Sequence, residues 1–105
     1  MVIGTNPTLI FSLPEGATNI QQAYFTIAQP HYNNHIIICE HDINDCSIGE
    51  GTISTQLSVE ETLMLDPSLS YVEFQVTIVS DNRVYKSEIV KEDVIPSLSL
   101  HEVEI

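Results

Sequence analysis

The sequence predicts an all-β domain: an antiparallel β-sandwich, Ig-like or jelly-roll-like, of six or seven short strands with one short helical turn near residues 58–65. Apolar and polar residues alternate over several short segments. Turn-forming residues separate these segments at intervals of about ten residues, and only one segment departs from the two-residue period. A sandwich has this pattern, and a small barrel is the alternative. A chain of 105 residues is long enough for one core, so we expect a single domain over residues 1–105.

The first half of the chain contains three predicted strands. Residues 8–13 begin after one proline and end before another, which favours a short first strand. Residues 20–29 alternate between apolar and polar side chains and end at Pro30. An Asn33-Asn34 turn leads into residues 35–39, whose run of β-branched side chains is typical of a strand covered on both faces.

The second half begins with a polar segment and then returns to strands. Residues 42–51 hold two of the four glycines, which predicts a loop or an irregular hairpin connection. Residues 52–57 alternate again. Residues 71–80 are the clearest strand, because four apolar side chains fall on one face. The two-residue turn Asp81-Asn82 then predicts a hairpin with residues 83–90.

One segment, residues 58–65, breaks the β periodicity. Ser58 and Glu61 have the spacing of a capping box, in which each side chain accepts a hydrogen bond from the other residue's backbone amide. We therefore predict a short helix or helical turn here, ending before Asp66-Pro67.

The chain is strongly acidic, with 15 acids, three bases and a formal net charge of −12. All three bases lie between Arg83 and Lys91. Binding of DNA or RNA requires a basic face, and an acidic surface is repelled by anionic membranes, so we expect neither partner. The opening residues lack a basic region followed by an apolar run, and no stretch approaches the length of a membrane span, which favours synthesis in the cytoplasm.

Residues 35–46 are the segment with the most potential ligands. In an extended strand His35, Cys39 and His41 point to the same face, and Cys46 could fold back toward them to complete a zinc set. The spacing lacks the tight knuckles of structural zinc sites. The alternatives are a buried Cys39 with histidines on a solvated face, or a disulfide between Cys39 and Cys46.

Other chemistries have less support. The acids of residues 42–50 do not follow the ligand spacing of an EF-hand, no local signature positions a nucleophile, and no phosphate-binding loop is present. We therefore predict a protein that is not an enzyme and has no cofactor. A carbohydrate-binding module is an alternative, although the four tyrosines do not cluster in sequence and there is no tryptophan: Tyr24, Tyr32, Tyr71 and Tyr85.

Three segments together carry a resemblance, namely residues 8–14, 51–63 and 71–90. They are similar to a group of short β-rich proteins encoded among the structural genes of tailed bacteriophages. In that group a leucine, Ser/Thr, x, Glu/Gln, Glu, Thr, Leu turn precedes a long hairpin, and here that turn spans residues 57–63. The resemblance implies a virion component of the head, neck, tail or baseplate. Such a protein is made in the host cytoplasm and forms homo- or hetero-oligomers with other virion proteins.

The C-terminal tail, residues 94–105, is a candidate docking segment for such partners. Its alternation changes phase near its end, which suggests either a bulge or a tail that leaves the domain to pack on something else. An ordinary last strand is the alternative. The apolar positions that we expect to make the contact are Leu98, Leu100, Val103 and Ile105.

Overall fold

A computed structural model describes residues 1–15, 17 and 19–96. Within these residues the chain forms eight strands in two antiparallel sheets, a 3-10 turn at Ile43–Asp45 and a short helix, α1, at Val59–Leu63. The strands are β1 (Thr8–Ser12), β2 (Ile20–His31), β3 (Asn34–His41), β4 (Cys46–Gly49), β5 (Thr52–Gln56), β6 (Tyr71–Ser80), β7 (Arg83–Lys86) and β8 (Val90–Asp93).

The smaller sheet has the strand order β1-β5-β4. The larger sheet has the order β3-β2-β6-β7, and β8 pairs with the same edge of β6 as β7, nearer the beginning of β6. The central strands bury the inward half of their alternating side chains, including Phe25 and Ile27 of β2 and Ile53 of β5. The predicted apolar face of β6 is confirmed, since Val72 and Ile78 are each at most 1% exposed. The predicted all-β sandwich is therefore confirmed.

The predicted hairpin after β6 is present, but its second strand is interrupted. Asp81 and Asn82 both have positive φ, 50° and 63°, as a two-residue turn of the I′ type requires. Ser87 then donates its backbone N–H to the Val76 carbonyl, and its hydroxyl accepts the Val76 N–H at 3.0 Å. Because this side chain replaces a backbone partner, the ladder ends at Lys86 and resumes as β8.

An additional strand, β4, lies in the segment predicted as a loop or an irregular connection. Asp42 caps the 3-10 turn by accepting the Asn44 backbone N–H at 2.9 Å. The chain then enters β4, which pairs with β5 through a turn at Glu50-Gly51. This four-residue strand is too short to show a period in sequence.

The predicted capping box at the start of α1 is confirmed. The Glu61 backbone N–H donates to Ser58 Oγ at 3.1 Å, and the Ser58 N–H donates to Glu61 Oε1 at 2.8 Å. The buried Thr62 anchors the helix by donating its hydroxyl to the Thr5 carbonyl at 2.7 Å. The helix thus lies between the end of the smaller sheet and the start of β6.

Candidate functional site

A β-bulge in β3 divides the predicted ligands between the two faces of the larger sheet. Along the β2–β3 pairing Ile27 is opposite Cys39, whereas the next residue, Ala28, is opposite Ile37. Ile38 is therefore the extra residue of the bulge, and the alternation of side chains inverts there. The prediction that His35 shares a face with Cys39 and His41 is wrong for this reason.

His35 lies on the outer face of the larger sheet. Its Nδ1 is 2.9 Å from Oε1 of Glu73, whose carboxylate is almost fully buried. The two residues line a shallow hollow of about 200 Å³ together with apolar side chains that include Ala28, Ile37 and Ile89. His35 is therefore occupied by a contact of its own.

Cys46 lies near the predicted site but does not join it. Its thiol donates to the Asp42 carbonyl at 3.1 Å, and it sits opposite Thr55 in the β4–β5 pairing. Both cysteines are free thiols, so the alternative of a Cys39–Cys46 disulfide is wrong.

The cluster that does form consists of Cys39, His41 and Glu61, the last from α1. One potential ligand atom from each residue lies within 4.8 Å of the other two. His41 Nε2 is 2.6 Å from Glu61 Oε2. The sequence identifies Glu61 only as a capping residue, since its meeting with His41 depends on how α1 packs against the end of β3. We call these three residues the CHE cluster.

Hydrogen bonds on both sides hold the CHE cluster in place. Thr55 donates its hydroxyl proton to the Asp45 carbonyl at 3.0 Å, so its oxygen accepts from His41 Nδ1, 2.6 Å away. The other ring nitrogen of His41 faces a carboxylate, which only accepts. Thr55 and Glu61 thus hold the two ring nitrogens of His41 from opposite sides.

The electrostatics of the cluster determine what Cys39 can do. Burial, reinforced by the Glu61 charge, raises the pKa of the Cys39 thiol to about 12. Partial burial would raise the pKa of Glu61, but hydrogen bonds from the Ser58 amide, His41 and Cys39 together outweigh it and hold that pKa below its ordinary value. At neutral pH Cys39 is thus a neutral thiol next to a carboxylate, which is the opposite of an activated nucleophile.

The second notable surface is the outer edge of β3. Residues 16–39 contain no acid and no Lys or Arg, so the β2–β3 hairpin is uncharged up to Glu40, near the end of β3, in a chain with a net charge of −12. Among the described residues β3 is an outermost strand of its sheet. Ile36 and Ile37 on β3 are 43% and 57% exposed, and Tyr32 at the hairpin turn is 93% exposed. We call residues 34–39 the β3 edge.

The opposite edge of the same sheet is different. β7 and β8 carry charges of both signs along their length, including Arg83, Lys86, Lys91 and Glu92. Charges on an edge strand discourage pairing with another chain. The β3 edge lacks this protection.

The four tyrosines are spread over the molecule. Tyr24 lies on β2, with its hydroxyl 3.5 Å from Gln22 Oε1, and Tyr71 lies under the Lys91 ammonium at 4.8 Å. Tyr85 packs against the core, while Tyr32 contacts the His31 ring at the hairpin turn. These positions do not build one aromatic platform for a sugar ring.

The predicted docking residues of the tail lie outside the described residues. The part of the tail that is described is tied to the N-terminal segment, where Ile95 pairs with Val2 and its backbone N–H donates to the Met1 carbonyl at 2.9 Å. In the described part of the chain, no helix is long and apolar enough to cross a membrane. No protein-family model matches the chain, and a search of curated proteins found no match.

Proposed function

We propose that this chain is a non-enzymatic assembly protein of a tailed-bacteriophage particle, and that copies of it associate through the β3 edge. The observation that carries the proposal is the combination of an open edge strand, exposed isoleucines and absence of charge in residues 34–39. Edge strands of this kind add a further strand through main-chain hydrogen bonds.

Charge selects a second copy of this chain as the occupant. Two copies with a net charge of −12 each repel one another, so they approach with least cost where neither surface carries an acid. The longest stretch of the sequence that meets this condition is residues 16–39, to which β3 contributes its edge. A basic partner would instead be drawn to the acidic regions.

The geometry of β3 suits an antiparallel contact about a two-fold axis. Ile36 and Ile37 are consecutive, so they project to opposite faces of the sheet, and an added strand contacts both. Their exposed fractions, 43% and 57%, together amount to one whole isoleucine side chain per copy. Burying it in both copies contributes about 3–6 kcal/mol, which together with main-chain hydrogen bonds favours reversible association rather than an obligate dimer.

The virion setting is supported by the resemblance of residues 8–14, 51–63 and 71–90 to small phage structural proteins. Particles are built from many copies at high local concentration, so a weak contact suffices there. We retain the tail, residues 98–105, as a second docking element in this proposal.

The test is the oligomeric state measured by size-exclusion chromatography with light scattering, over a range of protein and salt concentrations. We expect association to strengthen as salt rises, because salt screens the repulsion between acidic copies. Ile37→Lys should abolish it, because the edge then acquires a charge. Val84→Lys is the control, since Val84 is 63% exposed on the already charged edge.

A monodisperse monomer at all concentrations and salts would refute the proposal, as would equal association of the Ile37→Lys and wild-type proteins. Deletion of residues 98–105 separates the two docking elements. If it removes association while the Ile37→Lys change does not, the tail and not the β3 edge makes the contact.

A further inference from the structure

We propose that the CHE cluster is a zinc site, in which Cys39, His41 and Glu61 supply three ligands and solvent supplies the fourth. The three residues offer a thiolate, an imidazole and a carboxylate, all of which are zinc ligands. The sulfur donor favours zinc over calcium or magnesium, which bind through oxygen.

The positions of the donor atoms are close to those that a tetrahedral ion requires. Bonds of 2.0–2.3 Å place neighbouring ligand atoms about 3.3–3.7 Å apart. The donors of the cluster lie within 4.8 Å of one another, and the His41–Glu61 pair is 2.6 Å apart. Binding of the ion therefore requires His41 and Glu61 to move apart and the Cys39 thiol to move closer to them, through side-chain shifts of about 1 Å.

The surroundings of the cluster resemble those of a metal ligand set. A ligating histidine usually donates its second ring N–H to a neighbouring group, and His41 donates to Thr55, which is itself held by the Asp45 carbonyl. The second oxygen of Glu61 accepts the Ser58 N–H at 2.8 Å. Two of the three ligands are therefore already oriented on the sides that face away from the proposed ion.

The charges of the proposed ligands also suit a divalent ion. Binding of Zn²⁺ displaces the proton of the neutral Cys39 thiol. The resulting set of one dication, one thiolate, one carboxylate and one neutral imidazole has no net charge, so no uncompensated charge is buried. We therefore expect protons to leave when the ion binds.

The test uses the untagged full chain, stripped of metal and then titrated with Zn²⁺ by calorimetry and with Co²⁺ by absorption spectroscopy. We expect one ion per chain, release of protons in buffers of different ionisation enthalpy, and a sulfur-to-cobalt charge-transfer band. Cys39→Ser should remove that band, and Glu61→Gln should weaken binding by more than about 100-fold. Thr55→Val should weaken it about 10–100-fold, the usual loss for a supporting partner.

The matched controls are substitutions of His35 and Cys46, the two predicted ligands that lie outside the CHE cluster. Cys46→Ser and His35→Gln should leave the affinity and the spectrum unchanged. Gln at position 61 retains the capping box, and circular dichroism of each variant verifies that it folds. No stoichiometric binding, or binding that is lost in Cys46→Ser and retained in Cys39→Ser, would overturn the assignment. The same titration on Ile37→Lys separates this proposal from that of self-association.

Discussion

The side chain of Gln29 links the larger sheet to the connection between α1 and β6, and substituting it tests how much this link stabilises the fold. This glutamine of β2 is fully buried, and its side-chain amide makes both hydrogen bonds to the backbone of Asp66, where the chain returns from α1 to β6. Oε1 accepts the Asp66 N–H at 2.8 Å, and Nε2 donates to the Asp66 carbonyl at 3.1 Å. One side chain thereby fixes the α1–β6 connection against the larger sheet.

Gln29→Leu retains the approximate volume of the side chain but removes both hydrogen bonds. Each lost bond costs about 0.5–1.5 kcal/mol, and leaving the backbone groups of Asp66 without partners adds about 1–3 kcal/mol for each group that water does not reach. Because Asp66 is itself exposed, we expect a total near the lower end, about 2–4 kcal/mol. For a domain of this size this lowers the Tm by roughly 10–20 °C.

The assay is urea unfolding followed by circular dichroism, with an m-value equal to that of the wild type. Gln29→Glu is the matched variant, since it retains the acceptor but directs a carboxylate oxygen at the Asp66 carbonyl. It should be strongly destabilised at neutral pH and recover as pH falls, because protonation restores a donor. A free energy of unfolding for Gln29→Leu within about 0.5 kcal/mol of the wild type, the usual range for surface changes, would refute the reasoning.

Four further outcomes follow from local geometry. Ser58→Ala should cost about 1 kcal/mol in urea unfolding, because it removes the cap of α1. Asn82→Val should cost about 1–2 kcal/mol relative to Asn82→Gly, because a β-branched residue resists the positive φ of the turn. Hydrogen bonds from Ser68 hold the pKa of Asp66 below its ordinary 3.8. The stability that these bonds contribute is fully present above pH 3.8 and is lost as pH falls through the lowered pKa. The free energy of unfolding of Ser68→Ala, measured in urea, should therefore depend less on pH in that window. Iodoacetamide at pH 8 should modify Cys39 far more slowly in the folded chain than in urea, because its raised pKa leaves about one thiol in 10⁴ ionised.

The features that the sequence predicts correctly are those determined by neighbours in the chain. The buried face of β6 follows from a two-residue period, the capping box of α1 from a three-residue spacing, and the Asp81-Asn82 turn from the residues that tolerate positive φ. Each depends on contacts within a few positions, so the local pattern contains the information that specifies it.

The features that it does not predict depend on contacts between distant segments. The bulge at Ile38 becomes visible only when β3 is aligned with β2, and it decides which face His35 occupies. Ser87 ends β7 because its hydroxyl, and not its backbone carbonyl, accepts the N–H of Val76 on the opposite strand of the hairpin. Glu61 joins His41 from 20 positions away. Composition drew attention to the segment that contains Cys39 and His41 but not to Glu61, so only two of its four candidate ligands belong to the CHE cluster.

The order of the strands also has a consequence for synthesis of the protein. β2 pairs with β6, which ends at Ser80, 49 positions after β2 ends at His31. At a translation rate of about 5–20 residues per second, the core face of β2 waits several seconds for its partner. Residues 16–39 of the β2–β3 hairpin carry no Asp, Glu, Lys or Arg to keep emerging chains apart during that interval. Slower translation between residues 42 and 80 should therefore lower the yield of folded protein, and a holding chaperone should restore it.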